Sequence, residues 1–292
     1  MHTFPAPDGT PLAYHVAGAG APLVCLPGGP MRDSGYLGEL GGLAEAGVRV
    51  VRLDLRGTGA SGVPADPASY RWDRQVADVE ALRVQLGLER LRLLGHSAGA
   101  ALATLYAARH PERVESLVLV TPGAETVGGE VTAADRLETA RLREGEEWFP
   151  AAYAALEAIT AGGATEADWE AAAPFSHGRW DGTARALRAS GPAQRNAEAA
   201  AVYFGDADGG EPDGGADDGT SPAAVRDALA RFGGRVLLLA GEFDVASPPR
   251  TVLASADAYP RAETVVLPGA GHFPWNDDPK GFTAAVTGFL AS

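Results

Sequence analysis

Residues Gly95-His96-Ser97-Ala98-Gly99 form a G-x-S-x-G pentapeptide between an apolar run at 91–94 and a small-residue run at 98–108. That context predicts strand, sharp turn, helix, the arrangement that holds a serine hydroxyl in a strained turn at the end of a sheet. The two glycines suit a place where strand and helix backbones pass too closely for a Cβ. Ser97 is therefore the candidate nucleophile. A serine hydroxyl needs an adjacent base at neutral pH, and histidine is the usual one. Of the six histidines, His272 is best placed, in the Gly-rich stretch 267–273. This stretch follows the last predicted strand, and loops at strand carboxyl ends meet ligands in open α/β sheets. The imidazole in turn needs a carboxylate to fix its tautomer. Asp244 is the candidate, directly after the predicted strand 235–240 and before Pro248-Pro249; Glu242 and Glu125 are its rivals. The backbone N–H groups of Ala98 and of Gly29, in the turn Leu26-Pro27-Gly28-Gly29-Pro30, are the candidate oxyanion hole. His15, His96 and His110 take structural readings, whereas His177 is a candidate for touching substrate.

The elements that must position these residues alternate. Short apolar runs at 12–16, 22–26, 48–53, 91–94 and 114–120 predict strands, and 34–45 and 72–86 predict helices. The expected fold class is α/β: a mostly parallel central sheet with helices on both faces. After Thr121-Pro122-Gly123 the alternation stops. From about 132 to 204 only helical signals remain, including a capping-box-like start at Thr132, 168–173, 181–189 and 193–203. Residues 205–220 are nearly all Gly, Asp, Ala, Glu and Pro and predict a mobile acidic loop. A calcium site at Asp206, Asp208 and Glu211 is disfavoured, since the spacing completes no calcium-loop pattern. Helix 222–232, strands 235–240 and 263–267 and helix 282–290 resume the α/β order. The expected domains are a core of 1–122 and 222–292, and a helical cap or lid at 123–221. Trp148, Trp180 and His177 of the cap, with Val245 and Phe273 of the core, are the candidate substrate contacts, lining a mainly apolar pocket.

Bulk composition narrows the partners. The formal charge of −14 argues against nucleic acid and anionic membrane surfaces. No apolar run reaches the roughly 20 residues of a membrane span, and the N-terminus lacks a basic-then-apolar signal, so a cytoplasmic location is expected. Cys25 is the single cysteine, in an apolar run, and reads as buried and inert; no intrachain disulfide or cysteine metal cluster is possible. Abundant alanine and a lone lysine, Lys280, fit a GC-rich bacterial coding sequence. The remaining motif, Asp54-Leu55-Arg56-Gly57-Thr58-Gly59-Ala60-Ser61, lacks a phosphate-loop lysine. It reads as a brace for the loops around the site.

Together these motifs resemble the α/β-hydrolase superfamily and, within it, the proline iminopeptidase-like branch. Gly28-Gly29-Pro30 matches the branch's H-G-G-P-G, residues 54–61 match D-x-R-G-x-G-x-S, and Ser97, Asp244 and His272 follow the superfamily's Ser…Asp…His order. Pro27 stands where the branch has His, Met31 where it has its last Gly, Ala98 where iminopeptidases often have an aromatic residue, and Val245 where some relatives have an acid. Glu166, Glu170 and Glu198 are the acidic residues the cap could turn to a substrate ammonium. The resemblance implies a serine hydrolase forming an acyl-enzyme, with no cofactor and no metal. Val245 and Ala98 favour an ester, lactone or amide of a small apolar substrate over N-terminal proline. A non-hydrolytic ligand-binding or tailoring protein on the same fold is the reading from another class. Relatives that use Asp as nucleophile, such as haloalkane dehalogenases, are disfavoured by Ser97.

Overall fold

The structure is a computed structural model and describes residues 1–205 and 219–292. The expected acidic loop (206–218 of it) and the disfavoured calcium residues lie outside the described residues. Eight strands form one sheet: β1 (His2–Pro5), β2 (Pro11–Ala17), β3 (Pro22–Leu26), β4 (Arg49–Asp54), β5 (Leu91–His96), β6 (Val114–Val120), β7 (Arg235–Gly241) and β8 (Ala262–Leu267). Their order is β1-β2-β4-β3-β5-β6-β7-β8, and only β2 runs against the others. Strand β1 carries no signal the periodicity reading detects. It is a four-residue edge strand ending in Pro5, paired through a turn to β2.

Alternate residues of the central strands feed opposite cores, as a pleat with helices on both faces requires. Val24, Leu26, Leu93, Leu117 and Leu119 join one buried cluster. Leu23, Cys25, Leu94, Val118 and Val120 join the other. Helices α1 (Trp72–Gln85) and α2 (Ala98–Arg109) contribute to the first cluster, with α8 (Pro222–Leu229). The C-terminal α11 (Pro279–Ala291) contributes Phe282, Val286 and Phe289 to the second. Burial pushes the Cys25 thiol up to about 12, so it stays a neutral packing group.

Between β6 and α8 the described chain is helical: α3 (Ala133–Arg141), α4 (Phe149–Thr160), α5 (Glu166–Ala171), α6 (Gly182–Gln194) and α7 (Ala197–Val202). Thr132 caps α3 in a full capping box, with Asp135 in the role usually given to Glu. Remaining helices are α9 (Pro249–Ala254) and α10 (Pro274–Asp277). One expected helix is absent. Residues 34–45 form two short 3-10 turns, Ser34–Leu37 and Leu40–Gly42. Gly38, Leu40, Gly41 and Gly42 all have positive φ, which no α-helix accommodates.

Strand register gathers the loops that matter at one end of the sheet. Leu26 pairs with Gly95, His96 with Val120, Val120 with Leu239, and Gly241 with Leu267. The turns after β3, β5, β6, β7 and β8 therefore lie side by side.

Candidate active site

Ser97 links β5 to α2 with φ 52° and ψ −120°, outside the regions an L-residue prefers. Its flanking glycines make that turn possible. A Cβ at Gly99 would collide with the carbonyl oxygens of Leu26 and Pro27, and one at Gly95 with the Gly99 carbonyl. The Ser97 N–H donates to the Val120 carbonyl at 3.0 Å, pinning the turn to β6. A non-glycine held at positive φ stores strain of about 1–3 kcal/mol, which persists only where surrounding contacts over-determine it.

Asp244 is completely buried in the loop after β7. Its Oδ1 accepts from the backbone N–H groups of Ala246 (2.8 Å) and Ser247 (3.1 Å). Its Oδ2 lies 2.7 Å from His272 Nδ1. A carboxylate so placed can only accept, so Nδ1 carries the hydrogen and Nε2 keeps its lone pair. The rivals stand elsewhere. Glu242 accepts from the Gly269 N–H at 2.7 Å and serves the loop. Glu125 is exposed on the wall of a cavity.

That cavity, of about 540 Å3, is shared by Ser97, Ala98, Gly29 and His272. Trp72, Phe204, Ala101, Pro30 and Pro222 supply apolar wall, and Arg71 and Glu125 are the charged groups among its lining residues. The expected substrate contacts are not in this wall. Trp148 packs edge-on against Phe175 at 5.1 Å, with Arg143 over its ring. His177 is 2% exposed, between Phe273 (5.1 Å) and Trp180 (5.5 Å). Phe273 also packs on His96 and Trp275. Val245 joins a buried cluster with Ala140, Ala152, Leu156 and Phe175. His177 and Val245 are buried, and Trp148, Trp180 and Phe273 are half-buried and stacked on neighbouring rings, so these side chains pack the helical segment and its seat on the sheet. Pattern reading missed Trp72 and Phe204 as cavity wall: Trp72 opens α1 and Phe204 lies in the turn after α7, and neither position carries a motif.

The turn after β3 is fixed from several sides. Gly29 has φ 113°, and Met31, standing where the resembling branch has Gly, still has φ 56°. Buried Arg32 donates to Gln194 Oε1 (2.7 and 2.9 Å), the Leu187 carbonyl and Ser190 Oγ of α6. The motif after β4 braces the same region. Asp54 Oδ1 accepts from Ser34 N–H (3.0 Å) and Oγ–H (2.6 Å), and Arg56 makes a two-pronged contact with buried Asp78.

Two histidines near His272 are kept neutral. Burial, with His272 close by, holds His96 well below the ordinary imidazole range and His177 at about 4. Among the described residues no cluster of three or more His, Cys, Asp or Glu could hold a metal ion, and no helix is long and apolar enough to cross a membrane.

Comparison with known proteins agrees with this architecture. A proline iminopeptidase of Saccharolobus solfataricus is 37% identical over 115 residues, 39% of this chain and 37% of that one. A putative 2-succinyl-6-hydroxy-2,4-cyclohexadiene-1-carboxylate synthase of Bacillus subtilis is 37% identical over 136 residues, 44% of this chain and 48% of that one. The matches thus span between about a third and a half of these relatives' lengths. Among solved structures, the proline iminopeptidase of Mycobacterium smegmatis superposes with a TM-score of 0.74 at 27% identity, covering 99% of this chain and 98% of that one. An esterase of Exiguobacterium antarcticum shares the fold, with a TM-score of 0.71 at 19% identity over 99% of both chains. Residues 21–279 match the family described as alpha/beta hydrolase fold, and the chain belongs to that family.

Proposed function

We propose that the protein is a serine hydrolase acting on an ester, lactone or amide of a small, largely apolar substrate. The observation that carries this reading is His272, held by buried Asp244 through Nδ1 with its Nε2 left free to accept, on the same cavity as Ser97 in its strained turn. In this reading Ser97 Oγ attacks the carbonyl carbon while His272 Nε2 takes its proton. The amides of Gly29 and Ala98 receive the oxyanion. The imidazolium, stabilised by Asp244, then protonates the leaving group. Water, deprotonated by His272, releases the acid from the acyl-enzyme.

One observation favours a second reading. The Glu125 carboxylate stands on the cavity wall with no hydrogen bond or ion pair among the described residues. Val245, whose apolar side chain favours a neutral substrate at the level of sequence, packs in the cluster below the helical segment and lines none of the cavity. A substrate ammonium could therefore pair with Glu125, as release of an N-terminal proline would require.

Purified protein assayed in parallel on proline p-nitroanilide and short-chain p-nitrophenyl esters, with Ser97→Ala as control, separates the readings. Ser97-dependent ester cleavage alone supports the first, and preferred cleavage of the anilide supports the second. Turnover that survives Ser97→Ala removes both.

A further inference from the structure

His96 precedes the nucleophile, yet its ring contacts the base's backbone. It is 2% exposed at the end of β5. Its Nδ1 lies 2.7 Å from Tyr36 Oη, and its Nε2 lies 2.9 Å from the main-chain oxygen of His272. Tyr36 Oη in turn accepts from the Gly28 N–H at 2.7 Å. Every bond in this chain has a forced direction. The His272 carbonyl can only accept, so His96 Nε2 carries the hydrogen. A neutral ring then presents Nδ1 as an acceptor. The Gly28 N–H can only donate, so Tyr36 receives there and gives its own hydrogen to His96. Burial raises the Tyr36 hydroxyl and lowers the His96 ring, which keeps the first protonated and the second neutral.

The chain therefore runs unbroken from the turn after β3, where Gly29 stands, to the backbone of His272. It joins the loop after β3 to the loop after β8, which lie far apart in the chain. A second donor, Thr121 Oγ1, reaches the same His272 oxygen at 3.2 Å from the end of β6. Thr121 is a buried β-branched residue at φ 45°, a strained position held beside the site.

We propose that His96 and Tyr36 are positioning residues that lock the base His272 in register with the oxyanion turn, His96 acting only as its neutral Nε2–H tautomer. The proposal rests on the Ser97–His272–Asp244 reading of the site. Tyr36→Phe tests it with little change of shape, since the ring keeps its packing on Phe273 and Trp275 and under Arg32. Without the hydroxyl, the Gly28 N–H is orphaned and nothing donates to His96 Nδ1. The ring can then exchange tautomers and release the His272 carbonyl.

The experiment is the rate at which a fluorophosphonate probe labels Ser97, with kcat and KM on a p-nitrophenyl ester, the melting temperature, and the 15N spectrum of the His96 ring. The expected result for Tyr36→Phe is a fall in labelling rate and kcat of about tenfold to a hundredfold, with KM within about threefold. The His96 resonances are expected to change from a single Nε2–H tautomer to a mixture. Thr121→Val, which removes the other donor to the same oxygen, should deepen the loss when combined with Tyr36→Phe, and Thr121→Ser in its place should recover only that added loss. A lower melting temperature with labelling rate and kcat per folded molecule unchanged overturns the proposal. So does a wild-type His96 spectrum showing the Nδ1–H tautomer or a cationic ring. If wild-type Ser97 resists the probe while His96 still shows the Nε2–H tautomer coupled to Tyr36, the serine-hydrolase reading fails and takes the positioning role with it. The hydrogen-bond chain alone would survive.

Discussion

Asp244→Asn isolates the role of the buried carboxylate. The native Oδ1 receives two backbone hydrogens, from Ala246 and Ser247, and Oδ2 faces His272 Nδ1 at 2.7 Å. An asparagine can be placed two ways. With its oxygen toward the two amides, both stay satisfied and its NH2 faces His272. With its nitrogen there instead, the buried Ser247 N–H loses its acceptor at about 1–3 kcal/mol, and the more exposed Ala246 N–H loses its acceptor too. The first placement wins. The Asn NH2 then donates to Nδ1, which forces the imidazole hydrogen onto Nε2, the atom that must accept the Ser97 proton. The variant thus holds its base in the wrong tautomer and lacks the charge that stabilises imidazolium. Loss of kcat should be about 10^4, the scale of the corresponding change in serine proteases, or about 5 kcal/mol of activation free energy. The assay is kcat on the best p-nitrophenyl ester, with near-native circular dichroism as the fold control. Glu242→Gln, which alters a carboxylate whose one hydrogen bond among the described residues is to the Gly269 N–H, should keep kcat within about threefold. A loss below tenfold in Asp244→Asn, or a larger loss in Glu242→Gln, would refute this assignment of the acid.

Three further outcomes are expected. Gly99→Ala places a methyl against the Leu26 and Pro27 carbonyls, which are backbone and cannot rotate away; urea unfolding should show a loss of about 3 kcal/mol, or no soluble protein. His177 stays neutral in the fold down to about pH 4, whereas the unfolded chain takes up its proton near 6.5, so its contribution is complete above about 6.5 and is lost as pH falls toward 4. The stability difference between wild type and His177→Phe, measured by urea titration at pH 7.5 and 4.5, should shift by about 2–3 kcal/mol against the wild type in acid; a constant difference contradicts the buried, neutral placement. Glu125→Gln should raise KM for proline p-nitroanilide about twofold to fivefold, as loss of an exposed ion pair would, while leaving neutral esters unaffected if the ammonium reading holds, and equal effects on both would set that reading aside.

Sequence alone determined what is local. The strands are apolar runs bounded by turns, and the elbow is written in two glycines whose absent Cβ atoms admit the Leu26 and Gly99 carbonyls. The order of Ser97, Asp244 and His272 at strand ends follows from the same alternation, because parallel strands bring their carboxyl ends to one side. The segment 34–45 misled because apolar spacing suggests a helix there while Gly38, Leu40, Gly41 and Gly42 take backbone angles a helix forbids. Tertiary structure decided everything that depends on which surfaces meet. Aromatic residues such as Trp148, Trp180 and Phe273 are equally apolar as pocket wall or as packing, and only the stack with Phe175, His177 and Trp275 assigns them to packing. Trp72, at the start of α1, and Phe204, in the turn after α7, reach the cavity from places far apart in the chain. The link from Gly28 through Tyr36 and His96 to His272 spans 244 positions of sequence and exists only because β3, β5 and β8 end together, where hydrogen-bond geometry, not residue spacing, selects the partners.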